Sequence, residues 1–317
     1  MNLIVTGACG YKGNVLVPKL LDAGHNVTAL DIMWFGNDLQ PHPNLEVRQF
    51  DIRAPETLDL TGCDAIIHLS SVANDPCGDL DPKLTWEVSC LATMRLADKA
   101  VRQGVKRFIY ASSGSVYGLK EEEHVTEDLE LVPLSEYNKT KMVAERVLLS
   151  YADQMAVQIV RPATVCGLSP RMRLDVSVNM LTYQALKNGR ITVFGGDQTR
   201  PNIHIQDIAN VYRHLLAHPQ IASGCYNAGF ENISILTIAE MVQSKLGAEI
   251  VVSESNDPRS YRQDSSKLLA TGFKPSHSVL TAIDEISEAY GKGELPDGDS
   301  CYTVKWMKHL DMGPQSL

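Results

Sequence analysis

The chain has 317 residues, 44% hydrophobic and 21% charged, which suits a globular protein of one large or two smaller domains. Its 29 basic and 38 acidic residues leave a net charge of −9; with no run of Lys and Arg able to neutralise a nucleic-acid backbone, nucleic acid is excluded as the expected partner. No apolar run approaches the roughly 20 residues of a membrane span, no signal-peptide leader precedes the first strand, and the 7 cysteines are scattered, odd in number and never Cys-x-x-Cys. No membrane, no metal and a reducing cytoplasm are the expectations.

Residues 2–7 (NLIVTG) read as a first strand that runs into TGACGYKG, placing Gly7, Gly10 and Gly13 before a helix over 13–24. Glycines there allow a tight turn, let the backbone approach a pyrophosphate and let the helix start close to the strand, while the helix N-terminus supplies amide N–H groups. A bare strand-to-helix turn would carry the same glycines, but their place at the end of the first strand favours a dinucleotide loop. The second strand, 26–31 (NVTALD), ends on Asp31. A carboxylate there can accept hydrogen bonds from both adenosine ribose hydroxyls and repel a 2′-phosphate, which argues for NAD over NADP. The third strand, 45–51 (LEVRQFD), ends in DIR, where Asp51 and the Ile52 backbone could address the adenine.

Strands at 64–70 (DAIIHLS), 106–113 (KRFIYASS) and 157–165 (VQIVRPATV) follow, with helices near 84–103 and 138–152. Strands joined by helices mean βαβ units and a buried parallel α/β sheet, which binds ligands at the carboxyl ends of its strands. After about residue 168 come helices near 176–188, 206–218, 235–246 and 281–290 and strands at 191–194, 225–230 and 249–252, a smaller α/β lobe. The tail after Gly291 carries no motif.

Two Tyr-x-x-x-Lys pairs occur, Tyr137-Lys141 and Tyr183-Lys187. The spacing stacks the side chains on one helix face, but with 11 tyrosines and Lys at roughly one position in twenty, about half a match arises by chance. Tyr183-Lys187 has no serine-rich strand end before it and reads as plain helix. Tyr137-Lys141 follows FIYASSGSVYG, whose hydroxyls Ser112, Ser113 and Ser115 stand at the end of a buried strand, so a Ser, a Tyr and a Lys converge at the carboxyl edge of the sheet. Free tyrosine, with a pKa near 10, is too weakly acidic to act as a base at neutral pH; the Lys141 ammonium and a cationic nicotinamide would favour its phenolate. Tyr137 would then take a proton from a sugar hydroxyl as hydride leaves its carbon, with Ser113 holding the oxygen and Lys141 the nicotinamide ribose.

With TGACGYKG, Asp31, DIR, HLSS at 68–71, SSGSVYG at 112–118, YNKTK, RPATVCG at 161–167, RPNIHIQD at 200–207 and DPRSYRQD at 257–264, the chain resembles the extended short-chain dehydrogenase/reductase family. More narrowly it resembles the NAD-dependent epimerase/dehydratase group acting on nucleotide-diphosphate sugars. The resemblance implies a Rossmann-like doubly wound parallel sheet over 1–168 and a nucleotide-sugar lobe over 169–317, with part of 203–230 returning to the sheet. It implies further cofactor contacts at Tyr11, Lys12, Leu69, Ser70, Ser71 and Pro162, and substrate diphosphate contacts at Asn179, Arg200 and Arg259. It also implies a homodimer through the stretches near 84–103 and 138–152, where Leu91, Met94, Val143 and Val147 offer apolar faces.

Several positions depart from the family pattern. Lys12 replaces the usual apolar residue before the third glycine, a change that would strengthen pyrophosphate binding or admit a 2′-phosphate. Ser89 replaces the usual Asn of the fourth helix. Arg171 and Arg173 either read the sugar or its second phosphate, or lie on the surface. The Asp-Glu pair that dehydratases of the family carry directly after the catalytic hydroxyl residue is Gly114-Ser115, neither of which titrates near neutrality, and Ser115 also replaces the Glu of the sugar-acid decarboxylases. The expectation is a 4-epimerase working through a 4-keto sugar, in surface polysaccharide or deoxysugar biosynthesis. The alternative is a 4-dehydrogenase or 4-ketoreductase, with a 4,6-dehydratase or a non-catalytic NAD-binding protein behind both.

Overall fold

The computed structural model describes residues 1–254 and 260–310. In the first half, strands β1 (Asn2–Thr6), β2 (Asn26–Asp31), β3 (Leu45–Gln49), β4 (Ala65–His68), β5 (Arg107–Ala111) and β6 (Ala156–Pro162) alternate with helices α1 (Gly13–Asp22), α2 (Asp75–Gly78), α3 (Pro82–Trp86), α4 (Ala92–Arg102) and α5 (Glu136–Leu149). The second half adds β7 (Thr164–Cys166), α6 (Ser177–Asn188), β8 (Arg190–Phe194), β9 (Thr199–His204), α7 (Ile205–Ala217), β10 (Gly224–Ala228), β11 (Glu231–Ser234), α8 (Ile235–Leu246), β12 (Glu249–Ser253), α9 (Ser266–Leu269), α10 (Val279–Gly291) and α11 (Thr303–His309).

The main sheet has seven parallel strands in the order β10-β6-β5-β4-β1-β2-β3, a Rossmann-like doubly wound α/β arrangement. Both faces are covered, so β4 and β5 are buried at every residue and read as unbroken apolar runs rather than alternating ones. One core joins the sheet to α1 and α7 through Leu16, Leu20, Ile208, Tyr212 and Leu215, and the other joins it to α4 and α5 through Leu96, Ala100, Ala144 and Leu148. Each such buried Leu contributes roughly 1.5–3 kcal/mol. Strand order reverses between β1 and β4, which opens a crevice at their carboxyl ends.

Four features differ from the sequence expectation. The strand expected over 157–165 is two: β6 ends in the main sheet at Pro162, and β7 pairs with β9 in a separate three-stranded sheet. Strands β9 and β11 carry no clean alternation, and Pro201 inside β9 argues against a strand, but antiparallel pairing between them holds both. The helix expected over 84–103 is α3 and α4 joined by a π turn at Glu87–Leu91; buried Ser89 at its centre lies 3.1 Å from the Ser71 hydroxyl and accepts from Val72 N. Finally, the described part of the tail after Gly291 includes α11 and packs on the body, with Cys301 and Met307 in its cores. Strand β10 lies in the main sheet beside β6.

Candidate active site

A cavity of about 520 Å³ opens at the strand-order reversal, within the range of small-molecule sites. Its floor is the glycine loop. Gly7 has φ +67°, a conformation other residues adopt only with strain, and a Cβ there would come within 2.7 Å of Ser70 N. A Cβ at Gly13 would collide with the Ala8 carbonyl, so α1 can start this close to β1 only with glycine. Buried Asn14 donates from Nδ2 to the carbonyls of Cys9 and Gly10 at 2.8 and 3.3 Å and braces the loop from behind.

At one end of the cavity, Asp31 accepts from Cys9 N at 2.9 Å and Met33 N at 2.7 Å. Burial raises its pKa against those bonds and the nearby Arg171. Asp51 also lines the cavity. Burial would raise its pKa, but the Arg53 guanidinium, 2.6 Å away, holds it below the usual range. Ile52, Leu69, Ser70, Ser71 and Pro162 complete the expected wall.

At the other end, Ser113 caps the single 3₁₀ turn after β5; its Oγ accepts from Ser115 N at 3.2 Å and lies 2.7 Å from the Ser115 hydroxyl, which donates to Asn138 Oδ1. Ser135 caps α5 by accepting from Asn138 N, which sets Tyr137 in the first turn, inside the cavity. Lys141, one turn on, is only 2% exposed and does not itself line the cavity; its Nζ donates to Ala111 O at 2.7 Å. Burial and the Lys12 charge pull its pKa well below the ordinary lysine value, against Glu145.

Tyr137 departs from expectation. Burial and the Asp75 carboxylate push its pKa up to about 12, and the Ser113 hydrogen bond and the Arg173 charge offset this only in part. Lys141 therefore does not by itself make Tyr137 a phenolate: desolvation disfavours the phenolate and the ammonium alike.

Lys12, Arg171, Arg173 and Arg200 line the cavity. Partial burial and Arg173 lower the Lys12 pKa to about 8. Arg173 pairs with Asp175 at 2.8 Å. Arg171 stacks 3.9 Å over the Phe35 ring and is 6% exposed; its Nε has no hydrogen-bond partner among the described residues. Both arginines of the segment after β7 thus stand in the cavity wall rather than on the outer surface.

Gly7, Gly10, Tyr11, Lys12, Gly13, Asp31, Asp51, Ile52, Leu69, Ser70, Ser71, Ser113, Tyr137, Pro162 and Arg200 all meet around this one cavity. Asn179 does not line it. It is fully buried, with Nδ2 donating to Tyr11 OH at 3.0 Å and Arg173 O at 2.8 Å and Oδ1 accepting from Gly167 N at 2.9 Å, so it braces residues of the wall. Arg259 lies outside the described residues. Tyr183 and Lys187 do not line the cavity, and Lys187 Nζ donates to Tyr183 OH at 2.7 Å.

Asp75 and Thr303 line the cavity without having been singled out. Asp75 had a readable signal, an acidic residue just past a strand end; Thr303 had none. Asn74, before Asp75, sits at φ 69°, ψ 164°, a region costly to any residue with a side chain and concentrated at functional sites. A Cβ at Gly78 would come within 3.0 Å of Tyr137 Cβ, so α2 lies flush against Tyr137. Among the described residues no cluster of His, Cys, Asp and Glu could hold a metal ion, and no helix is long and apolar enough to cross a membrane.

The sequence model of the NAD dependent epimerase/dehydratase family matches residues 3–229. An uncharacterized UDP-glucose epimerase of Bacillus subtilis, YtcB, is 29% identical over 280 residues, covering 81% of this chain and 85% of that protein. UDP-glucuronic acid decarboxylase 1 of Danio rerio is 28% identical over 291 residues, covering 86% and 68%. Among solved structures, the UDP-glucuronic acid 4-epimerase of Bacillus cereus, in complex with UDP-glucuronic acid and NAD, superposes with a TM-score of 0.81 at 25% identity over 92% of this chain and 99% of that one.

Proposed function

The chain belongs to the NAD dependent epimerase/dehydratase family, and from that premise we propose that it is a nucleotide-sugar 4-epimerase that uses NAD. The observation that carries the reading is the pairing, in one cavity, of a dinucleotide floor with Ser113 and Tyr137, next to Gly114 and Ser115 where a dehydratase of the family needs an acid and a base. Ser115 is tied to Ser113 and Asn138 and offers no group that titrates near neutrality.

The residues present fit the cofactor. The glycine loop leaves its backbone open to a pyrophosphate, Asp31 offers carboxylate oxygens to a ribose, and the buried Arg171 Nε is a donor that needs an acceptor. Bound NAD supplies the hydride acceptor and, in the return step, the donor for C4 of the sugar, and its cationic nicotinamide favours the Tyr137 phenolate. Tyr137 takes the proton of the C4 hydroxyl and gives it back, Ser113 holds the oxygen, and Lys141 would hold the nicotinamide ribose. Arg200, which lines the cavity, would pair its guanidinium with the substrate's diphosphate oxygens, and Arg173, already paired with Asp175, would add positive charge nearby.

The test is incubation of the purified protein with UDP-, dTDP- and GDP-hexoses without added reductant, read by NMR and by NADH absorbance. The 4-epimer with no net NADH is the expected result. NADH produced in step with a 4-keto sugar would reassign the protein as a 4-dehydrogenase, and, with a UDP-hexuronic acid added to the panel, a UDP-pentose with released carbon dioxide would reassign it as a decarboxylase. Asp31→Ala should narrow the preference for NAD over NADP, because it removes both the ribose bonds and the repulsion of a 2′-phosphate.

A further inference from the structure

The segment after α10, residues 294–310, runs as a strap along the outside of the cavity and is fastened at several points. At its outer end Asp297 pairs with Lys187 at 2.8 Å, and Lys187 also donates to Tyr183 OH at 2.7 Å. The second Tyr-x-x-x-Lys pair is therefore an anchor for the strap. Next, Leu174 N donates to Cys301 O at 2.9 Å, Thr303 N donates to Asp175 Oδ2 at 2.9 Å, and Arg171 Nη2 reaches Thr303 Oγ1 at 3.4 Å. Last, Trp306 Nε1 donates to Trp34 O at 2.6 Å. Cys301 enters one core of the main sheet and Met307 the other, so the strap is packed and not merely draped.

These contacts tie together two cavity walls that come from distant parts of the sequence. Trp34 and Phe35 follow Asp31, Arg171 and Asp175 follow β7, and all four line the cavity together with Thr303. Arg171 on Phe35 is where the walls touch, and the strap fastens each wall from outside.

We propose that this strap retains the dinucleotide, so that NAD stays bound from one turnover to the next. The proposal rests on the cofactor reading above. Thr303 and Trp306 act as positioning residues: they hold the Trp34–Phe35 and Arg171–Asp175 walls closed against the Asp31 end of the cavity. An enzyme that takes hydride from C4 and returns it to the same carbon gains from such retention, because loss of the reduced cofactor midway would strand a 4-keto sugar.

The test is the release rate of NADH from the full-length protein, followed by loss of NADH fluorescence when excess NAD is added. Trp306→Ala, which removes the inner fastening, should release NADH at least about tenfold faster than the parent with little change in association rate. Lys187→Met, at the half-exposed outer anchor, should give a smaller acceleration of about threefold. A Trp306→Ala protein that folds, by circular dichroism, and releases NADH at the parent rate overturns the proposal. Should Trp306→Ala not fold, Lys187→Met decides alone, and an unchanged release rate overturns it. A parent protein that binds no NADH overturns the cofactor reading and the strap proposal with it, whereas binding with unchanged release in the variants overturns the strap proposal only.

Discussion

Lys141 Nζ lies 5.8 Å from the centre of the Tyr137 ring and 4.7 Å from that of Tyr110, and it donates to the Ala111 carbonyl. The ammonium is thus held by the end of β5, the strand that also leads to Ser113, and its position relative to Tyr137 is set by the sheet as much as by their helix. With Tyr137 at a pKa of about 12, the phenol is protonated across the neutral range until a further positive charge enters the cavity.

Tyr137→Phe removes the titrating oxygen and little else. Turnover should fall by roughly 10²- to 10⁴-fold, the usual worth of a general acid–base group, while NADH affinity and the melting temperature stay near the parent's. Activity within about threefold of the parent would remove Tyr137 from the mechanism.

Burial and, after it, the Asp75 carboxylate raise the Tyr137 pKa. Neutralising that carboxylate in Asp75→Asn removes a negative charge that opposes the phenolate, so the Tyr137 pKa should drop. In a kcat/KM profile the limb that rises as the base forms should move to lower pH. A limb in its original place would show that the Asp75 charge does not reach Tyr137 in the working enzyme.

Lys12, with a pKa near 8, is cationic below that value. A bound phosphate would raise the pKa, so the attraction is fully present below about pH 8 and is lost as pH climbs through the raised value. NADH affinity in the parent should be flat on the acid side and weaken on the alkaline side. Lys12→Met should bind roughly tenfold or more weakly at neutral pH, the scale of a charge-assisted bond, without that alkaline decline, as titration calorimetry across pH would show.

The buried Arg161–Glu145 pair, at 2.7 Å with side chains 5% and 1% exposed, ties β6 to α5 four residues beyond Lys141. Glu145 also accepts from the Ser112 hydroxyl, beside Ser113. Glu145→Ala leaves Arg161 buried without its counter-charge and should cost about 3–5 kcal/mol, read as a lower urea midpoint. The double variant with Arg161→Met should regain part of that loss.

Leu91 and Met94 are 42% and 39% exposed, on the turn leading into α4 and on α4 itself, and Val143 and Val147 on α5 are partly exposed. We propose that α4 and α5 meet their copies in a homodimer, which light scattering should show as twice the 34.9 kDa of one chain. Leu91→Lys combined with Met94→Lys should give the monomer. A parent protein of one-chain mass at micromolar concentration would refute the dimer.

What the amino-acid order determined by itself is what depends on neighbours along the chain. The βαβ rhythm, the glycines that only a tight strand-to-helix turn demands, Asp31 at a strand end and Tyr137 one turn from Lys141 are local patterns, and local backbone sterics and hydrophobic periodicity express them directly. The tertiary structure decided what depends on residues far apart. Asn179 was turned into a brace because Tyr11, more than 160 positions away, offers it a hydroxyl; Tyr137 was moved to a higher pKa by the low dielectric around it and by Asp75; and β9 and β11 became strands only because they pair. Thr303, beyond Gly291, became part of the cavity wall because its backbone N–H finds Asp175 and the nearby Trp306 finds the Trp34 carbonyl. None of these is written in a spacing, because burial, electrostatic environment and the satisfaction of buried polar groups are properties of the packed chain.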